Sequence, residues 1–329
     1  MTQVTQRPTL DAPAPPRTGT SRTPSFFFNG HVPRRRLLVA VVSALFGFAL
    51  TVVWSAEFVD STIGDNVADT LLGHHAKDTP IAGALAGLAF AVATGVAGTF
   101  TACNVAVFSA LAPLTGGPSS PRRRLTAALQ PLSRLALGAI TVSALYGVLV
   151  ALVGTGMPQF DESRPGGGLS GRLIQAMVVY GLIGLCMLVL GLSALGVVRD
   201  PLARLSRRFP GAPMLFMGAL IGAFLIGRPF PLFRQLFRDA AESGNPLYGA
   251  AVFVLQTLGN LVVVAVLFLL VTVVFGDRLN RWLTARPSRA SALMAAAFIA
   301  AGVFMLLYWD LRILARRDLI WYPMAPWAH

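Results

Sequence analysis

Residues 247–275 read LYGAAVFVLQTLGNLVVVAVLFLLVTVVF. The stretch contains no charged side chain, and it exceeds the roughly 20 residues that a helix needs to cross the ~30 Å hydrocarbon layer of a bilayer. A helix on the surface of a soluble domain would show a polar face repeating every 3.6 residues or so. Polar side chains are too sparse here to build one, so the solvent this segment is made for is lipid. Runs of the same kind lie at 37–56, 81–112, 136–156, 172–198, 212–236 and 291–309. The chain therefore reads as all-α, a polytopic helical membrane protein with about seven transmembrane helices.

Composition agrees. Of 329 residues, 55% are hydrophobic and only 12% charged, a balance that a soluble domain of this size rarely carries. The net charge of +13 could point to nucleic acid, but the arginines sit in short segments between apolar runs, as the positive-inside rule requires, so no nucleic-acid partner is expected. With the N-terminus in the cytoplasm, the inner segments hold Arg34 to Arg36, Arg122 to Arg124, Arg199, Arg204, Arg207, Arg208, Arg278, Arg281, Arg286 and Arg289. The outer segments then hold most of the acidic residues, among them Asp65, Asp69, Asp161, Glu162, Asp239 and Asp310. An odd number of spans places the C-terminus outside the cell membrane, where Arg312, Arg316 and Arg317 count against the arrangement.

Residues 1–33 are rich in Pro, Thr, Ser and Arg and read as a disordered cytoplasmic tail. Residues 34–57 form an N-terminal membrane anchor, since Trp54-Ser55-Ala56-Glu57 is a poor cleavage site. The six remaining runs divide into two three-helix repeats, 81–198 and 212–309, the second inverted relative to the first because each holds an odd number of spans. Residues 310–329 are a C-terminal tail in which Trp321, Tyr322 and Trp327 read as anchors at the membrane interface.

Each repeat opens with a small-residue-rich helix: Gly83, Gly87, Gly95 and Gly98 in one, Gly218, Gly222 and Gly227 in the other. Each then meets a disruption at a similar distance, Ala102-Cys103-Asn104-Val105-Ala106 in the first and Arg228-Pro229-Phe230-Pro231 in the second. Proline removes a backbone donor and clashes with the preceding turn, so the second helix is expected to kink or break. Unwound backbone survives at membrane depth only against protein or a water-filled cavity, and matched breaks in inverted halves point to a central site.

On these two motifs the chain resembles the CcdA/DsbD transmembrane family, which carries electrons across bacterial membranes through two inverted repeats, each opening with a helix broken at a Pro-Cys-x-x-Pro-like motif. The resemblance implies that Cys103 stands at the first redox position. Both prolines of the first motif are alanine here, and Phe230 stands where the second cysteine belongs. Dithiol exchange needs one thiolate to attack and another to resolve, so Cys103 would need a partner's cysteine, from a thioredoxin-like or cytochrome-assembly protein. Cys186, between Leu185 and Met187, reads as a small core residue.

Arg228 is the only charge well inside an apolar run, and a charge there is costly unless it meets water, carbonyls or a counter-charge. Asn104, Gln175, Gln256 and Asn260 add polar side chains that either bond between helices or line a passage. Three readings follow. A transporter would hold a small polar or anionic substrate near Asn104, Arg228, Pro229, Phe230 and Pro231. A thiol-redox protein of cytochrome c biogenesis would use Cys103. A scaffold would use neither. His74-His75 has no recognised ligand spacing, so no metal is assigned. No nucleotide or dinucleotide fingerprint or catalytic triad is present, no cofactor is implied, and no soluble segment is long enough for a separate catalytic domain.

Overall fold

The computed structural model describes residues 27, 30–55, 57–99, 121–163, 168–227, 230–286 and 288–327. Their regular structure is helical throughout, with no strand among the described residues. The helices are α1 (Arg36–Val53), α2 (Asn66–Leu72) after a π-helical stretch Glu57–Asp65, α3 (Ala84–Ala97), α4 (Pro121–Val153), α5 (Gly171–Ala194), α6 (Ala203–Arg208), α7 (Ala212–Gly227), α8 (Pro231–Ser243), α9 (Pro246–Thr284), α10 (Ser288–Leu306) and α11 (Arg312–Ala315). Five helical segments among the described residues are long and apolar enough to cross a membrane, and six if α7 and α8 count as one bent span. The chain is thus a polytopic helical membrane protein.

The run at 81–112 is helical from Ala84 to Ala97, 14 residues or about 21 Å, with its second half outside the described residues. The run at 212–236 is bent, as its sequence leads one to expect. Its crossing helix stops at Gly227, and α8 leaves at 87° to it. The reason is chemical: Leu232, Phe233, Leu236, Phe237, Ala240 and Ala241 form one buried face of α8, while Arg234, Arg238, Asp239 and Glu242 occupy the other. A helix with so charged a face lies across the end of the bundle rather than through it.

Small residues set which helices meet. A Cβ on Gly138 (α4) would stand 2.1 Å from Leu215 O, and one on Gly218 (α7) 1.9 Å from Leu135 O. On the other side, a Cβ on Gly95 (α3) would stand 2.1 Å from Gln256 O, and one on Gly259 (α9) 2.6 Å from Val92 O. Gly147 and Gly249 join α4 to α9, and Gly184 and Gly302 join α5 to α10. Without a hydrophobic drive between helices in lipid, such close backbone contact is what holds a bundle together. The helices therefore adjoin in the order α1, α10, α5, α7, α4, α9, α3.

These contacts also give direction. Residues 135 and 139 meet 218 and 222, so α4 and α7 are parallel. Residues 87 and 95 meet 248 and 256, so α3 and α9 are parallel too. The pairs 147 with 249 and 143 with 257 make α4 and α9 antiparallel, and 184 with 302 beside 191 with 295 does the same for α5 and α10. The chain thus runs in alternating senses along α1, α3, α4, α5, α7, α9 and α10. The opening helix of each triplet packs on the middle helix of the other.

Aromatic and aliphatic side chains fill the space between helices in two clusters, one around Tyr180, Met217, Phe268 and Phe298, the other around Phe90, Phe233, Phe237 and Phe253. Phe27 belongs to the first, its ring edge-on to Phe298 at 5.9 Å. Leu37, Leu45 and Phe46 on α1 and Val262, Val266 and Leu270 on α9 face outward, as lipid-exposed residues do.

The C-terminal tail is tied to α1. A helix leaves its last carbonyls without intrahelical donors. Here Arg312 Nη1 donates to Thr51 O at 2.8 Å and Trp54 O at 2.7 Å, the Ala325 N–H donates to Val52 O at 3.0 Å, and Trp327 Nε1 to Val53 O at 3.1 Å. The Tyr322 hydroxyl pairs with Thr51 Oγ1. Tyr322 is therefore buried, not an exposed interfacial ring, whereas Trp321 is exposed as an anchor would be.

Candidate functional site

The break after Gly227 opens onto a narrow cleft at the end of the bundle opposite Arg34 to Arg36. Its walls come from the turn Pro158–Phe160, the first turns of α5 and α8, and the last residues of α7: Gln159, Arg172, Gln175, Ile226 and Arg234 meet there. The cleft has room for about one water molecule.

Its floor is a closed polar network. Tyr146 OH donates to Gln159 Oε1 at 2.6 Å, while Gln175 Nε2 donates to Ile226 O at 2.6 Å and to Tyr146 OH at 3.0 Å. Gln175 thereby supplies a donor to the last turn of α7, and Tyr180 OH donates to Phe224 O at 3.0 Å.

The mouth is unbalanced in charge. Arg172 Nη1 and Arg234 Nη1 both donate to one oxygen, Glu162 Oε1, at 2.5 Å and 2.8 Å. Two guanidinium groups share one carboxylate, which leaves about one positive charge over. The Nε atoms of Arg172 and Arg234 are buried, and among the described residues neither has an acceptor. An arginine fork presents parallel N–H groups that match the two oxygens of a carboxylate or phosphate.

α8 is held in place from its polar side. Gln235 Nε2 donates to Thr79 O at 2.9 Å, and Tyr248 OH donates to Asp239 Oδ2 at 2.5 Å. Gly87 permits that last bond, since a Cβ there would stand 1.7 Å from the Tyr248 oxygen.

Of the residues singled out from sequence, Phe230 is buried, its ring against Phe233 at 5.2 Å and against the backbone of Gly64. Pro231 begins α8, where a missing N–H costs nothing. Cys103, Asn104, Arg228 and Pro229 lie outside the described residues, so the thiol assignment and the deep arginine are not placed. Cys186 sits mid-helix in α5, partly buried against the first cluster. Reasoning from hydropathy missed Arg172 and Arg234, because both fell inside runs read as spans. Their signal was available: each is a charge at a run's outer edge, near the outer acid Glu162 in the assigned topology.

No family model matches the chain, and neither curated proteins nor solved structures provide a match.

Proposed function

We propose that this membrane protein is of the transporter type and takes a small carboxylate-bearing anion at its extracytoplasmic mouth, under the break between α7 and α8. The observation that carries the reading is the convergence of Arg172 and Arg234 on Glu162 Oε1 with both buried Nε groups unpaired. Glu162 stands on an exposed loop and acts as a tethered stand-in: the cargo's carboxylate displaces that of Glu162 and takes over both guanidinium groups. The exchanged packing of α3 on α9 and α7 on α4 supports an inverted pair of three-helix units, the layout in which such a mouth leads to a central path. With Arg34 to Arg36 at the cytoplasmic face, the cleft and the C-terminal tail face outward.

The test uses full-length protein in proteoliposomes with radiolabelled lactate as probe, subtracting protein-free vesicles. Arg172→Ala and Arg234→Ala each weaken binding and uptake about tenfold or more, the scale of a lost charge-assisted hydrogen bond. Glu162→Gln tightens binding several-fold, because it removes the competitor while keeping the shape. Indifference of lactate binding to all three substitutions sinks the proposal.

A further inference from the structure

Gln256 lies ten residues into α9, about 15 Å from its start at Pro246 and well inside the apolar stretch Pro246–Gly276. It is 1% exposed, and among the described residues neither of its buried side-chain polar atoms, Oε1 and Nε2, has a hydrogen-bond partner. Closed off as it is in this arrangement, an unpaired carboxamide is one of the costliest groups a membrane protein can keep.

Its neighbours do not explain it as glue between helices. Thr257, next in sequence, bonds across to Ser143 Oγ at 2.6 Å, and Ser143 also donates to Ala139 O. Thr94 on α3 returns its hydroxyl to Phe90 O. Each nearby hydroxyl is satisfied, while Gln256 stands between the stripe of α9 that faces α3 through Gly95 and the stripe that faces α4 through Gly249 and Thr257. An apolar residue of the same shape would serve packing there better.

Building on the transport reading, we propose that Gln256 is a hydrogen-bonding station on the path through the bundle, satisfied by the cargo as it passes. A carboxamide sets an acceptor beside two donors. Its complement is a neutral edge of the same kind, a hydroxyl or protonated carboxyl beside a carbonyl. A bare carboxylate offers acceptors only and leaves Oε1 unpaired. The arginine pair thus captures the charged form at the mouth, and Gln256 reads the neutral donor and acceptor within.

Two measurements on the full chain decide the matter, and the first does not depend on the arginine site. In a Cys103→Ser, Cys186→Ser background, Gln256→Cys reacts with a water-soluble methanethiosulfonate reagent in sealed vesicles, while lipid-facing Val262→Cys does not. In detergent, Gln256→Leu melts higher than the parent, because it removes two unpaired polar atoms from the interior, yet it carries lactate at least tenfold more slowly. A silent Gln256→Cys, a lower melting temperature for Gln256→Leu, or unchanged lactate uptake by Gln256→Leu each overturns the proposal. Failure of the arginine reading appears elsewhere, as lactate binding indifferent to Arg172, Arg234 and Glu162, and leaves the cysteine result standing.

Discussion

Asp69 shows how one carboxylate fixes a stretch of irregular chain. After α2 the backbone turns at Gly73 with φ of 74°, a left-handed conformation that costs glycine little. Asp69 Oδ1 then accepts the Ala76 N–H at 2.7 Å, and Oδ2 lies 3.1 Å from His75 Nδ1. The Ala76 N–H above all, helped by His75 and His74 and opposed by partial burial, holds the Asp69 carboxyl below its usual 3.8. A lowered folded-state value means that the stabilisation is complete above the unfolded value and is lost as pH falls through the folded one. Hydrogen exchange at residues 73–79 should be protected at about pH 5 and lose that protection towards about pH 2, whereas Asp69→Asn should be weaker and flat over the same range. Bonds of this local kind can be anticipated from sequence, because donor and acceptor are a few residues apart. The arginine pair could not, since Glu162 reaches Arg172 across 10 residues and Arg234 across 72.

At the scale of elements, hydropathy found the crossing helices because lipid selects for length and uniform apolarity, both visible without a partner. It overran at α8 because Phe230, Leu232 and Phe233 continue the apolar run past Gly227. The correcting signal was periodicity: arginines four apart at Arg234 and Arg238 opposite Phe233 and Phe237 mark an amphipathic helix. The glycines of the opening helices were legible as packing residues, but their partners were not, since α7 seats on α4 and α3 on α9 across the two triplets. Gly218→Ala tests that seating. Its Cβ meets backbone, Leu135 O at 1.9 Å, which no rotamer change relieves. The variant should lose about 1–3 kcal/mol, the usual cost of overpacking, read as a lower melting temperature and a looser α4–α7 pair in cysteine crosslinking. Gly156→Ala is the matched control: nothing lies within 4 Å of its Cβ, so stability should stay within about 0.5 kcal/mol.

For the whole molecule the open question from sequence was parity, because Arg312, Arg316 and Arg317 at the end of the chain argued for a C-terminus on the same side as Arg34 to Arg36. The docked tail removes that objection for Arg312, which is 1% exposed and spends its charge on the carbonyl end of α1 and the face of Tyr308, 4.9 Å away. A cation there complements the negative end of the helix dipole, so Arg312 reports a helix terminus, not a membrane side. α10 runs parallel to α1, and Arg312 at the start of α11 just beyond it meets Thr51 and Trp54, about 25 Å along α1 from Arg36. Arg36 and the docked segment around Trp327 therefore lie at opposite ends of α1. A green fluorescent protein fused before residue 1 should fluoresce, and alkaline phosphatase fused after residue 329, active only outside the cytoplasm, should be active. Moving Arg312 is the sharper probe. Arg312→Ala strips donors from two carbonyls and should loosen the tail, exposing Thr51→Cys and Trp54→Cys to alkylation, while the phosphatase stays active. An inactive phosphatase together with a dark N-terminal fusion would mean an inverted orientation, and with it a cleft that opens to the cytoplasm.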